Sequence, residues 1–188
     1  MPKIPSDPLN FIPPERRARF FWPLLGLTLL LMAVFAVTGA PLTTEAAPYG
    51  VVSFELAGTL ENAQRILASW DVETQLRAAF GLGLDYLFMA VYAGTLALGI
   101  GMAAGSLRCT GWPLARWGNA LSWGVILAAG LDAVENIALL TLLWGTLANP
   151  WPALARWCAL PKFALIFAGL VYALYGGAAA LANRIEDR

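Results

Sequence analysis

Four apolar stretches, each at or above the length of about 20 residues that crosses a hydrocarbon core about 30 Å thick, constrain what this chain can fold into. They cover residues 20–40, 80–102, 120–144 and 163–182. A lipid interior offers no water to an exposed backbone, so each stretch is predicted to be a helix. The sequence therefore predicts an all-α integral membrane protein, a single transmembrane domain over residues 1–188 built as an up-down-up-down four-helix bundle.

The composition agrees with a membrane location and narrows the chemistry. Of 188 residues, 59% are hydrophobic and 13% are charged, whereas an ordinary soluble domain has about 25% charged residues. The formal net charge is zero, so no basic excess indicates a nucleic-acid partner. Histidine is absent, which removes the commonest transition-metal ligand and makes zinc and haem poor candidates. The sequence predicts no metal site and names no cofactor.

Basic residues predict how the spans are oriented. Those that flank the spans on one side are Lys3, Arg16, Arg17, Arg19, Arg108, Arg116, Arg184 and Arg188. The positive-inside rule places that side in the cytoplasm, together with both termini, whereas the acidic connection between spans one and two lies outside. We expect a bacterial inner or plasma membrane. Cys109 and Cys158 then lie near opposite faces and are expected to be free thiols.

The outer connection is predicted to contain structure of its own. Apolar residues recur at helical spacing over 59–70 opposite polar ones, which indicates a short amphipathic helix that lies on the membrane or caps the bundle. Asp71 is a candidate N-cap for the second long helix, which then begins before residue 80. The fourth helix can extend back to Trp151, with a kink at Pro161.

Four ionisable side chains interrupt the apolar stretches: Asp85, Asp132, Glu135 and Lys162. A charge at the centre of a membrane helix costs roughly 2.5 to 3.5 kcal/mol on insertion scales. Counted from the outer helix ends at about 1.5 Å per residue, the four lie in one slab of the outer half of the membrane. Their cost and their common depth predict that they meet.

The helical spacing shows how such a cluster can form. Asp132, Glu135 and Asn136 are related by i, i+3 and i+4 and share one face, which must look into the bundle. Asp85 and Lys162 can converge on that face, and Glu55 adds another carboxyl from the outer connection. Such a set cannot be fully ionised when dry. Some carboxyls are protonated, or a cation, an amine or one of the outer arginines, Arg65 and Arg77, completes the balance.

Several functions remain open at this point. The favoured interpretation is a polar pocket that binds a proton, a cation or a cationic or polar headgroup, built by Glu55, Asp85, Asp132, Glu135, Asn136 and Lys162. A membrane-embedded enzyme would instead use the carboxyls of the third span as acid and base on a lipid-like substrate. An accessory subunit of a membrane complex is a third alternative, and a purely structural cluster the plainest one. The predicted partners are the lipid bilayer, a small cationic or polar ligand and a membrane protein.

One glycine pattern points elsewhere but fails its context. Gly99, Gly101 and Gly105 resemble a fragment of a phosphate-binding loop. They end a membrane helix and follow no strand, so a nucleotide site is not predicted and helix packing explains them better.

Overall fold

The structure is a computed structural model that describes residues 6–186, and within them it contains helices and no strand. Lys3 and Arg188, which entered the orientation argument, lie outside the described residues, as does the side chain of Arg184. The helices are α1 (Pro14–Gly39), α2 (Val51–Glu55), α3 (Leu60–Ala68), α4 (Val72–Cys109), α5 (Gly118–Leu143) and α6 (Pro150–Glu186). Short 3-10 turns, Ala40–Leu42 and Ala115–Trp117, follow α1 and precede α5.

Four helices, α1, α4, α5 and α6, are long and apolar enough to cross a membrane. This confirms the predicted fold class, and the architecture is consistent with a four-helix bundle. Each of these helices begins before its predicted apolar stretch, and α4 and α6 also end after it. At the start of α4, Asp71 accepts a hydrogen bond of 2.8 Å from the Thr74 backbone N–H, as predicted for an N-cap. Hydrogen bonds from the side chain and the backbone of Thr74 lower the pKa of the Asp71 carboxyl.

Contacts divide the chain into two compact units. The first, here called the carboxylate unit, comprises Thr28–Ala90 and Ala129–Lys162 and therefore holds every predicted site residue. The second, here called the terminal unit, comprises the described parts of Met1–Leu27, Val91–Ala128 and Phe163–Arg188.

A compact apolar core supports the carboxylate unit. Helix α3 packs into it through Ala63 and Ile66, and Trp70 follows the helix and is 3% exposed. The Trp70 indole N–H donates a hydrogen bond of 2.9 Å to the Leu42 carbonyl, and its ring meets Phe54 edge to face. Helix α3 thus caps the long helices of this unit, which decides between the two predicted placements. Its other face carries Arg65 and stays exposed.

Small residues bring helices close together in the terminal unit. At Gly176 of α6, a Cβ would lie 2.5 Å from the Ala103 Cα of α4, so only glycine fits there. Gly169 is similarly enclosed by side chains, including those of Val125 and Ile100. The neighbouring Gly177 faces open space. The close approach of α6 to α4 therefore depends on Gly176 and not on Gly177.

Candidate functional site

The ammonium group of Lys162 lies at the centre of a buried carboxylate cluster. Its Nζ atom is 2.8 Å from Glu135 Oε2, 2.9 Å from Asp132 Oδ1 and 3.5 Å from Glu55 Oε2. All four side chains are at most 11% exposed. The sequence predicts that Asp85, Asp132 or Glu135 approaches the Lys162 ammonium within about 4 Å, as a paired charge requires. Asp132 and Glu135 do so.

Helix geometry explains why these groups meet. Asp132 and Glu135 stand one turn apart on the buried face of α5, and Lys162 reaches them from α6. Glu55 is the last residue of α2, a five-residue helix that begins after Gly50. Gly50 has φ of 58° and ψ of −129°, a conformation essentially restricted to glycine. This turn is what directs α2, and with it Glu55, into the unit.

Asp85 has a different partner from the other carboxyls. The Asn136 side-chain amide donates a hydrogen bond of 2.6 Å to Asp85 Oδ2. The same amide lies 3.5 Å from the Leu82 carbonyl, one turn earlier on α4. Asn136 therefore joins α5 to α4, and it links Asp85 to the helix face that carries Asp132 and Glu135.

Glu135 is the most enclosed member of the cluster, with no exposed surface. Neither of its oxygens accepts a well-aligned hydrogen bond from another described residue, although one is in electrostatic contact with Lys162. Its carboxyl also neighbours that of Glu55. Two carboxyls form a hydrogen bond only if one of them carries a proton.

The pKa of Glu55 agrees with proton retention. Burial raises the pKa of its carboxyl above 4.5, and the nearby Asp132 raises it further. The Lys162 charge and the neighbouring Glu135 side chain oppose this rise without cancelling it. A carboxyl removed from water keeps its proton to a higher pH, because the charged form loses its hydration.

A cavity of about 160 Å³ adjoins the cluster within the carboxylate unit. Glu55, Asp85 and Asn136 form the polar part of its wall, and Arg77 also lines it. Most of the remaining wall is apolar and includes Phe35 and Phe88, whose rings meet edge to face at 5.2 Å. Among the described residues, the cavity wall does not include Asp132, Glu135 or Lys162.

The two outer arginines that the sequence offered as counterions have other partners. Arg77 lines the cavity but pairs with Glu73 at 2.6 Å, one turn away on α4. Arg65 contacts Glu61 and Asn62 on the exposed face of α3. Neither forms an ion pair with the cluster among the described residues. Lys162 is therefore the one cation that the described residues bring into direct contact with it.

The described residues contain no group of three or more histidine, cysteine, aspartate or glutamate side chains arranged to hold a metal ion. Cys158 is buried and Cys109 is exposed, and both are free thiols as predicted. The carboxylates of the cluster surround the Lys162 ammonium, so the position that a metal would need is taken by an internal cation.

All six predicted site residues lie in the carboxylate unit, and each contacts at least one other member. Their roles stay a prediction. The sequence did not indicate the contribution of α1, whose Phe35 and Thr38 line the cavity. No charge or spacing marks those two residues, and only the packing of α1 against α4 brings them there.

No protein family, no curated protein and no solved structure matches this chain. What can be said of its function therefore comes from its own residues. Four apolar helices identify a multi-pass membrane protein.

Proposed function

We propose that this protein is a membrane-embedded binding protein whose cavity takes a cationic group, either a proton or an amine, on the wall formed by Glu55 and Asp85. One observation carries the proposal. The two carboxyls that border the cavity belong to a set of four that the described residues supply with a single contacting ammonium group.

The charge balance favours a cationic occupant. Lys162 is held by Asp132, Glu135 and Glu55, whereas Asp85 has only a neutral amide as its hydrogen-bond partner among the described residues. An ionised carboxylate away from water is costly unless a positive charge or a proton offsets it. A cation in the cavity would meet Asp85 directly and would lower that cost.

The shape and lining of the cavity favour a small amine. A volume of about 160 Å³ is comparable to cavities that hold one benzene ring, so it suits an ammonium headgroup with a few carbons attached. The Phe35 and Phe88 rings add apolar surface beside the carboxyls. Aromatic faces and carboxylates together are the groups that recognise alkylammonium ions.

The enzyme alternative has less support. It assigned the acid and base to α5, but Asp132 and Glu135 both contact Lys162 and are not part of the cavity wall. A substrate in the cavity would reach Glu55 and Asp85 instead. The accessory-subunit alternative required an exposed face of small residues on α1 or α6. The exposed apolar side chains of α1 are mostly large ones such as Leu29 and Leu30. On α6 the small residues Gly177 and Ala178 are exposed, so this alternative keeps support from α6 only.

Binding of a defined amine tests the proposal. Purified protein in maltoside detergent is titrated with butylammonium and, in parallel, with butanol as the neutral control. We expect binding of the ammonium compound only. Asp85→Asn should weaken it roughly tenfold or more, since a charged partner is lost, while Glu61→Gln on the exposed face of α3 should leave it unchanged.

The proton arm uses the same variants. Infrared difference spectra between pH 5 and pH 8 should contain a protonated-carboxyl band that Glu55→Gln or Asp85→Asn removes and Glu61→Gln keeps. Such a band without amine binding identifies the proton as the occupant. If no amine binds and neither variant changes the carboxyl bands, the cluster is structural and the proposal is wrong.

A further inference from the structure

A second cavity, of about 350 Å³, lies in the terminal unit and is unrelated to the carboxylate cluster. Its polar lining residues are Asp7, Arg17, Ser106, Arg108 and Asn119. From this lining we propose a binding site for a phosphate group, such as the phosphodiester of an anionic lipid headgroup.

Arg17 is fixed in place by the chain around it. Its guanidinium forms an ion pair with Asp7 and donates hydrogen bonds of 3.3 Å to the Ile12 and Leu9 carbonyls. These bonds use Nε and Nη2, and leave Nη1 to lie against α4, where a Cβ on Gly101 would be 2.5 Å away. Glycine at residue 101 is thus what lets the guanidinium approach the helix closely at the cavity wall.

Arg108 supplies the charge that remains available. It stands in the last turn of α4 and is exposed. Its side chain forms none of the ion pairs found among the described residues. With Arg17 offset by Asp7, the cavity has one positive charge in excess. Ser106 and Asn119 make this part of the wall polar, although the Ser106 hydroxyl already donates a hydrogen bond of 3.3 Å to the Met102 carbonyl.

Two glycines that the sequence analysis assigned to helix packing line this cavity. Gly101 and Gly105 are four residues apart on one face of α4, and both line the cavity. A Cβ on Gly105 would meet no heavy atom within 4 Å, so this residue leaves space and does not make a packing contact. Arg108 follows three residues later, close to the same face. Small residues below a basic side chain allow a headgroup to approach the helix.

The predicted side of the membrane on which Arg17 and Arg108 lie favours a lipid as the ligand. Arg17 and Arg108 belong to the two basic groups that the positive-inside rule assigns to the cytoplasmic side. Basic pockets between membrane helices on that side bind the headgroups of anionic lipids.

The test measures binding of soluble phosphate compounds to the full chain in maltoside detergent. The probes are dihexanoyl phosphatidylglycerol, the zwitterionic dihexanoyl phosphatidylcholine and inorganic phosphate. We expect the anionic lipid to bind more tightly than the zwitterionic one, with an affinity that falls as salt rises. If millimolar inorganic phosphate displaces the bound anionic lipid, the site binds a free phosphate. If inorganic phosphate does not displace it, the site binds the lipid headgroup.

Two variants locate the site, each with a matched control. Arg108→Gln should weaken binding about tenfold or more, whereas Arg116→Gln removes an equal charge from a residue that does not line the cavity and should have little effect. Gly105→Leu should fill the space and abolish binding. Gly83→Leu, at another open glycine of α4, should not.

Equal losses in Arg108→Gln and Arg116→Gln would reduce the effect to general surface attraction and overturn the proposal. Full binding in Gly105→Leu would overturn it as well. Amine binding at Asp85 should be the same in all four variants, so the two sites succeed or fail separately.

Discussion

At the scale of single residues, Lys162 is central to the balance of buried charge. Its ammonium group offsets three buried carboxyls, each within 3.5 Å. Removing one partner of a buried ion pair leaves an uncompensated charge, whereas removing both is often nearly neutral. The cluster can therefore be dissected by comparing single and double substitutions.

Lys162→Met should lower the free energy of unfolding by about 3 to 5 kcal/mol, and adding Glu135→Gln should restore much of the loss. Chemical denaturation in detergent micelles measures both effects. The control is Arg65→Met, which breaks a pair that is exposed on both sides and should cost less than about 1 kcal/mol. A Lys162→Met variant as stable as wild type would show that the carboxyls do not depend on this cation.

The pH dependence follows from Glu55. Its pKa in the folded protein is raised above 4.5, chiefly by burial, so between these two values the folded state holds a proton that the unfolded chain has released. The contribution of Glu55 to stability is then fully present below about pH 4.5 and is lost as pH rises through the folded pKa. Glu55→Gln should flatten the decline, measured as unfolding free energy between pH 4 and pH 8. An unchanged slope would place the titration on another group.

The sequence predicted which residues of the cluster would meet, because an isolated charge in a membrane helix has a high free-energy cost. Charges such as Lys162 and Asp132 are so unfavourable in an apolar helix that they must meet, and helical spacing gave the shared face of α5. The sequence did not predict which residues of the cluster would contact each other directly. Asp85 bonds to Asn136, because the rotation of one helix relative to another depends on side-chain packing along its whole length. The contact of Asp7 with Arg17 was also missed, because Asp7 lies in the irregular segment before α1, where no helical spacing indicates a partner.

Short elements between the long helices set the position of Glu55. Helix α2 has five residues and was not predicted, because fewer than two turns give no periodic pattern to detect. Helix α3 was predicted, since its nine residues carry a clear apolar face. The two are joined at Gly58, where φ is +71°. This left-handed conformation is costly for any residue with a Cβ.

Gly58→Ala should therefore lower stability by about 1 to 3 kcal/mol, measured by thermal or chemical unfolding. A Cβ there would also lie 2.8 Å from the Arg156 side chain, but that chain is exposed and can move. Adding Arg156→Ala should consequently recover little. Gly83→Ala, at an open helical position, serves as the control and should be neutral or slightly stabilising. Full rescue by Arg156→Ala would assign the cost to the clash and not to the backbone.

The whole molecule separates its polar groups from its lipid-facing surface. In the most apolar window of α1 only 11% of residues are buried, against 56% for α4. Helix α1 thus offers most of its surface to the surroundings, and its exposed side chains include Leu30, Met32 and Val37. Lipid is the solvent that such a surface requires. The buried charges of α5 and α6 are the exception that needs a function or a structural partner.

The positive-inside rule predicts the orientation of the molecule in the membrane, and Cys109 allows a direct test. Its thiol is exposed at the end of α4, on the predicted cytoplasmic side, whereas the Cys158 thiol is buried. A membrane-impermeant maleimide applied to intact cells should leave the protein unlabelled, and permeabilised cells should give one label that Cys109→Ser removes. Labelling of Cys109 in intact cells would reverse the orientation. The attraction of basic residues to cytoplasmic anionic lipids, which supports a lipid as the ligand of the phosphate site, would then no longer apply.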